Sequence, residues 1–251
     1  MSLLRSDPIA ISQDAFVSSA TQLYPLGTRA IDKDGRKFRY VLAGTPALVV
    51  ANVIQSPAAQ PTHQTLAVTD PTALAATGGL IGSDHFTVTL GITNAVVENE
   101  YAEGWAVIEL TPGLGYMYPI DHHAAAAGAA ALVVYIDPET PVQVSLTDAS
   151  KVTLVRNPWK GVIQSPDTAL TGTPVGVAIY PITAAQYGWI QSGGPCAMLC
   201  TDVQLVGQIL CVPGTEAGSA TVGALHTTPI IGYSAGVTVA ACACPAYLTI
   251  D

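Results

Sequence analysis

The chain of 251 residues is 49% apolar and only 11% charged, against about a quarter charged in an ordinary soluble domain. Its net charge of −9 argues against a protein that holds nucleic acid by counterion release, and the shortage of charge implies a surface largely covered by partners. The longest weakly polar run, 124–136, is about thirteen residues, short of the ~20 that a bilayer requires, so no membrane contact is expected.

The first 22 residues show no sustained periodicity and no apolar core of a secretory signal. They read as an extended arm with a short helix near 13–20, reaching toward a neighbour. From Gly27 a β-hairpin is expected, because Phe38, Tyr40 and Leu42 alternate with Lys37, Arg39 and Val41 beyond a Lys33-Asp34-Gly35 turn. The apolar run 48–54 predicts a third strand, closed by Ser56-Pro57.

Residues 58–82 are rich in Pro, Thr, Ala and Gly and read as a junction loop with one strand over 64–68. Strands follow over 86–90, 94–97, 104–110 and 115–120 at the spacing of a barrel or sandwich. The Ala-rich piece 123–131 is a short helix or loop entering a strand over 132–136. Further strands are expected at 142–146, 151–155, 175–180, 187–191, 197–200, 208–212, 229–234, 237–243 and 246–250. No stretch carries a long 3.6-residue apolar period, so the fold class is all-β.

Two features suggest a building block. The phrase VIQSP occurs at 53–57 and again at 162–166, with a WIQS echo at 189–192. Five of the nine basic residues, Arg29, Lys33, Arg36, Lys37 and Arg39, crowd into eleven positions, and none follows Lys160. The basic hairpin is either a solvated tip or a docking element for an acidic neighbour, including another copy of the chain.

Chemical motifs fail on their surroundings. Gly232-Tyr233-Ser234-Ala235-Gly236 fits a hydrolase elbow, but no histidine follows Ser234 and the sole later acid is Asp251. Asp32-Lys33-Asp34-Gly35 opens like a calcium loop, yet position twelve is Ala43 rather than Glu. Asp121-His122-His123 and Cys242-Ala243-Cys244 each lack the second half of a zinc site, and adjacent histidines on a strand point to opposite faces. Gly78-Gly79-Leu80-Ile81-Gly82 lacks the lysine of a phosphate loop, and the carboxylates of Glu98 and Glu100, like those of Asp137 and Glu139, read as solvated turns. No catalytic, cofactor or metal residue is assigned. The five cysteines, an odd count in a chain without a signal peptide, are expected as free buried thiols in a reducing compartment. Tyr187 and Trp189 share one face of a strand, as a core pair or an interface anchor.

The phrases GTRAIDKDGRKFRYVLAG, VRNPWKGVIQSP, TGTPVGVAIYPITAAQYGWIQSGGPCAMLC and PAYLTID resemble the capsid decoration, or cement, proteins of tailed bacteriophages. The resemblance covers about half of the chain and rests on structural phrases. It implies a β-barrel or β-tulip-like antiparallel body from 23–57 and 174–251, an inserted β-rich lobe over 58–173, and the arm 1–22. It implies a homotrimer on the outer surface of the virion's capsid, made in the bacterial cytoplasm, with the major capsid protein as partner and no nucleic acid or membrane. The interface residues expected are Arg29, Lys33, Arg36, Lys37, Arg39, Tyr187 and Trp189. A tail, baseplate or spike component is the alternative.

Overall fold

The computed structural model describes residues 8–11, 13–69, 78–93, 95–223, 228–239 and 242–251. The chain is all-β and forms two compact units, one of residues 1–58 and 158–251, the body, and one of residues 59–157, the lobe. In chain order the strands are β1 (Ile9–Ala10), β2 (Arg29–Ile31), β3 (Lys37–Ala43), β4 (Val53–Gln55), β5 (Leu66–Val68), β6 (His85–Thr89), β7 (Trp105–Ile108), β8 (Met117–His122) and β9 (Ala131–Ile136). They continue with β10 (Lys151–Val155), β11 (Lys160–Gln164), β12 (Pro174–Ala178), β13 (Tyr187–Cys200), β14 (Ile209–Cys211), β15 (Thr221–Val222), β16 (Ile230–Ser234) and β17 (Cys242–Thr249). Among the described residues no helix is long and apolar enough to cross a membrane.

The lobe is a closed antiparallel barrel in the order β10-β5-β6-β9-β8-β7. Its strands obey the period of two: Leu132, Val134 and Ile136 point inward while Ala131, Val133 and Tyr135 point out. Phe86, Val88, Tyr118, Ile120, Val152 and Leu154 fill the same interior. Val142 and Leu146 are buried in this core but lie in irregular chain, so the strand expected at 142–146 is absent. The segment 94–97 is likewise not a strand among its described residues; Val96 makes an isolated bridge to Ala126.

The body is one eleven-stranded sheet, β1-β2-β3-β11-β4-β12-β13-β17-β16-β14-β15. An extra pairing of β3 with β13 closes β3, β11, β4, β12 and β13 into a five-membered ring. Val41, Ile54, Val162, Val175 and Ile190 pack in one cluster of this ring. The hairpin β2–β3 forms as its sequence predicts: Asp32 Oδ1 accepts from the amides of Asp34 and Arg36, each at 2.9 Å, and Gly35 takes the positive φ of 80° that the turn needs.

Four expectations change. The lobe ends at Asn157, not 173, because the second VIQSP strand belongs to the body, where it pairs with the first: Ile163 lies opposite Gln55 and Gln164 opposite Ile54. The run 48–54 is not one strand. Leu48 bridges to Ile182, Val49 and Val50 are exposed, and Ala51 turns at φ 67°, leaving β4 only three residues. β13 is a single strand through Gly193-Gly194-Pro195, where two short ones were expected, because a bulge between Gln191 and Gly193 and the positive φ of Gly194 absorb the glycines without breaking the ladder. Cys200 and Cys244 form a disulfide between neighbouring strands, leaving Cys196, Cys211 and Cys242 as thiols.

The described part of the amino-terminal arm is packed on its own unit. β1 runs parallel to β2, Ser19 exchanges backbone hydrogen bonds with Tyr187, and Ile11 and Ala15 are buried beside Phe38 and Tyr40.

Candidate interaction surfaces

The five clustered cations divide into three environments. Arg39 sits on β3 with its side chain only 8% exposed, and its guanidinium donates to both carboxylate oxygens of Asp251, at 2.5 and 2.6 Å. It also donates to the Gly27 carbonyl at 2.9 Å and lies 4.9 Å from the Trp159 ring. These contacts satisfy its charge within the body. Hydrogen bonding from Arg39 holds the Asp251 carboxyl below its usual range against the opposing effect of burial. Lys37 adds a hydrogen bond to the Asp251 main-chain oxygen at 3.0 Å.

Arg36 pairs with Asp32 at 2.7 Å across the turn and lies 5.5 Å from the Phe38 ring. Burial pushes the Asp32 carboxyl up, but hydrogen bonds from Arg36 and Asp34 outweigh it and hold the group low. Arg29 and Lys33 are exposed and form no ion pair among the described residues. Arg29 and Lys37 line a cleft of about 280 Å³ with Pro8, Ile31 and Asp251. Of the expected hairpin interface, Arg39 is therefore a structural residue, Lys37 and Arg36 are partly committed, and Arg29 and Lys33 are exposed, Arg29 adding to the positive field that holds the Asp251 carboxyl low.

Trp189 is a core residue, and Tyr187 is half-buried against the same cluster. Trp189 is buried, with its ring 5.0 Å from Tyr40 and 5.5 Å from Tyr24, and Tyr187 stacks on Tyr40 at 6.0 Å. Leu26, Ile11 and Ala15 from the amino-terminal segment complete this cluster. The residues that cover Trp189 lie far from it in sequence, which is why spacing alone left core and interface open.

The motifs set aside on their sequence context have plain structural roles. Ser234 is buried at the end of β16, where its hydroxyl donates to the Gly236 carbonyl at 2.8 Å. His122 is exposed and bonds Asp121, whereas His123 is buried: its Nε2 accepts from the Tyr101 amide at 2.9 Å and its Nδ1 faces the Ala124 carbonyl at 3.0 Å. These contacts fix the neutral Nδ1–H tautomer of His123. The Tyr101 hydroxyl bonds His63, and burial pushes its pKa up. An Arg156–Glu100 ion pair lies on the same side of the lobe, with the guanidinium 5.9 Å from the Tyr101 ring. Together these groups tie the loop at 96–103 to the barrel. Among the described residues no three His, Cys, Asp or Glu side chains come together to hold a metal ion.

A second surface escaped the sequence reading. On β17 the residues Cys244, Ala246 and Leu248 point into the core, which leaves Ala243, Pro245, Tyr247 and Thr249 on the open face. Register places Pro195 and Tyr233 on either side of Tyr247, and both are exposed. Beyond β16 the ladder continues through the Gln204–Thr238 bridge, where Gln204 is buried and Val203, Leu205, Val237 and Val239 are exposed. None of these outward positions is charged. A one-sided sheet normally presents polar residues outward; the readable signal was the uncharged alternation of 242–249, CACPAYLT. No family model matches the chain, and no curated protein and no solved structure matches it.

Proposed function

We propose that the chain is a structural virion protein that binds the outer surface of a phage head and cements neighbouring capsomers, with the major capsid protein as its partner. The observation that carries this reading is the uncharged, apolar outer face on β13, β17 and β16, which requires a protein cover. The resemblance of the hairpin and β13 phrases to cement proteins names the kind of assembly. Arg29 and Lys33 supply the complementary element, two exposed cations at a hairpin and cleft suited to an acidic shell surface.

Cementing asks little of each copy. Burial of ~800 Å² per subunit at ~25 cal/mol per Å² gives about 20 kcal/mol of gross hydrophobic free energy before association costs are subtracted, and the effect repeats over the shell. Quantitative mass spectrometry of purified particles tests the reading. Copy numbers on the scale of the capsomers support it; a number on the scale of the single tail vertex assigns the chain to tail, baseplate or spike instead.

A further inference from the structure

We infer that the Cys200–Cys244 disulfide is exchangeable: the Cys242 thiol displaces Cys244 from Cys200, giving the chain two alternative bonds in one sulfur cluster and a redox latch at the start of β17. The inference stands on the strand register of the body and is independent of the cement reading.

Register brings three sulfurs together. Cys200 on β13 lies directly opposite Cys242 on β17, and Met198 lies opposite Cys244, so the Cys200–Cys244 bond runs diagonally across the ladder with 6.1 Å between its Cα atoms. Cys242 and Cys244 are two residues apart on one strand and therefore share a face, the one on which Cys244 joins Cys200 in the core. Directly opposed residues of an antiparallel pair hold their Cα atoms roughly 4.5–5.5 Å apart, inside the range that a disulfide spans. Cys200 thus has two partners within reach, and the one directly opposite it is left as a thiol. The other two thiols do not compete. Cys196 is four residues from Cys200 along β13, roughly 13 Å, and Cys211 lies on β14, which pairs with neither β13 nor β17.

Burial separates the two states. Cys200 and Cys244 are fully buried, whereas Cys242 is half-buried and its thiol donates to the Val239 carbonyl at 2.9 Å. With the Cys200–Cys244 bond in place, the free thiol of the cluster is the accessible one. With the Cys200–Cys242 bond in place, the free thiol is Cys244, in the core with Met198, Leu210 and Leu248. The step balances within the chain: the Cys242 thiolate attacks Cys200 Sγ, the Cys200–Cys242 bond forms as the Cys200–Cys244 bond breaks, and the departing Cys244 thiolate takes up the proton that Cys242 gave to water. No oxidant or reductant is consumed. The exchange converts a reactive thiol near the surface into a shielded one, and its reversal restores it.

Disulfide mapping of the purified full chain tests the latch. After hours at pH 8, peptic digestion in acid stops exchange, and electron-transfer fragmentation of the linked peptides distinguishes the two bonds. Both Cys200–Cys242 and Cys200–Cys244 are expected; a single pairing, of either kind, overturns the inference. Cys244→Ala reads the same geometry by thiol count. Four cysteines remain, and oxidised glutathione is expected to close Cys200–Cys242, so that the thiols alkylated on denaturation fall from four to two and the intact mass drops by two hydrogens. Four alkylated thiols, or glutathione adducts in place of the internal bond, in a variant whose circular dichroism spectrum is unchanged overturn it. Cys242→Ser is expected to leave Cys200–Cys244 as the one pairing, and mapping of the unaltered chain decides the question without any substitution in the core.

Discussion

Replacing Asp251 with Ala strands the Arg39 guanidinium. That side chain is 8% exposed, against 27% for Asp251, and loses two of its three hydrogen bonds while keeping the Gly27 carbonyl and the Trp159 ring. Leaving a buried charge without its partner costs about 3 kcal/mol. Arg39→Met is milder, about 1.5 kcal/mol, because the more exposed carboxylate recovers water. The double variant should fall short of the summed costs by about 1 kcal/mol. Urea unfolding followed by tryptophan fluorescence reads the body through Trp159 and Trp189, with Trp105→Phe removing the lobe's signal. For m near 1–3 kcal/mol/M, Asp251→Ala lowers the midpoint by about 1–3 M.

The pH dependence has a definite sign. Asp251 titrates lower in the folded chain than unfolded, so its contribution is fully present above the unfolded value of about 3.9 and is lost as pH falls through the folded value. The stability gap between the unaltered chain and Asp251→Ala should be flat from about pH 6 to 8 and shrink below about pH 4. An unmoved urea midpoint for Asp251→Ala, or a larger cost for Arg39→Met, refutes the argument that this pair anchors the hairpin.

Three other outcomes are expected. Lys33→Glu should reduce occupancy on heads without changing the urea midpoint of the body, and raised salt should lower the occupancy of the unaltered protein in the same direction; unchanged occupancy removes the hairpin from the mechanism. Gly27→Ala should cost about 3 kcal/mol, since it adds a Cβ within 2.3 Å of the Trp159 ring at φ 80°, whereas Gly35→Ala, at the same φ with open space around it, should cost about 1 kcal/mol; equal costs would refute the crowding. Ser234→Ala should leave any ester hydrolysis by the purified protein unchanged and lower stability by about 1 kcal/mol, and loss of a hydrolytic activity on that substitution would reinstate the elbow reading.

The legible parts of the fold are those whose chemistry is local. Asp32 and Gly35 write the hairpin turn into four residues, and the alternation of 131–136 gives a barrel strand its inner face. The start of the lobe follows from the Pro- and Ala-rich change after the first VIQSP. Its end does not, because the second VIQSP belongs to the body only through pairing with β4, more than a hundred residues earlier. The same limit hid the role of the basic cluster. Arg39 looks like one more hairpin cation until Asp251 arrives from 212 positions away to neutralise it.

Low charge had a different meaning in each unit. The chain average suggested an evenly sparse surface, but the lobe carries almost all of the net negative charge while the body is nearly neutral. A strand such as CACPAYLT, with no charge on either face, reads from sequence as buried on both sides. In the body only one side is buried: Cys244, Ala246 and Leu248 join the core, and Tyr247 and Pro245 remain open. The side left open is where a strand written for two covered faces still lacks a neighbour. Periodicity alone does not tell a core neighbour from an external one, because both demand the same residues; the distinction appears only when the fold leaves one of the two faces uncovered.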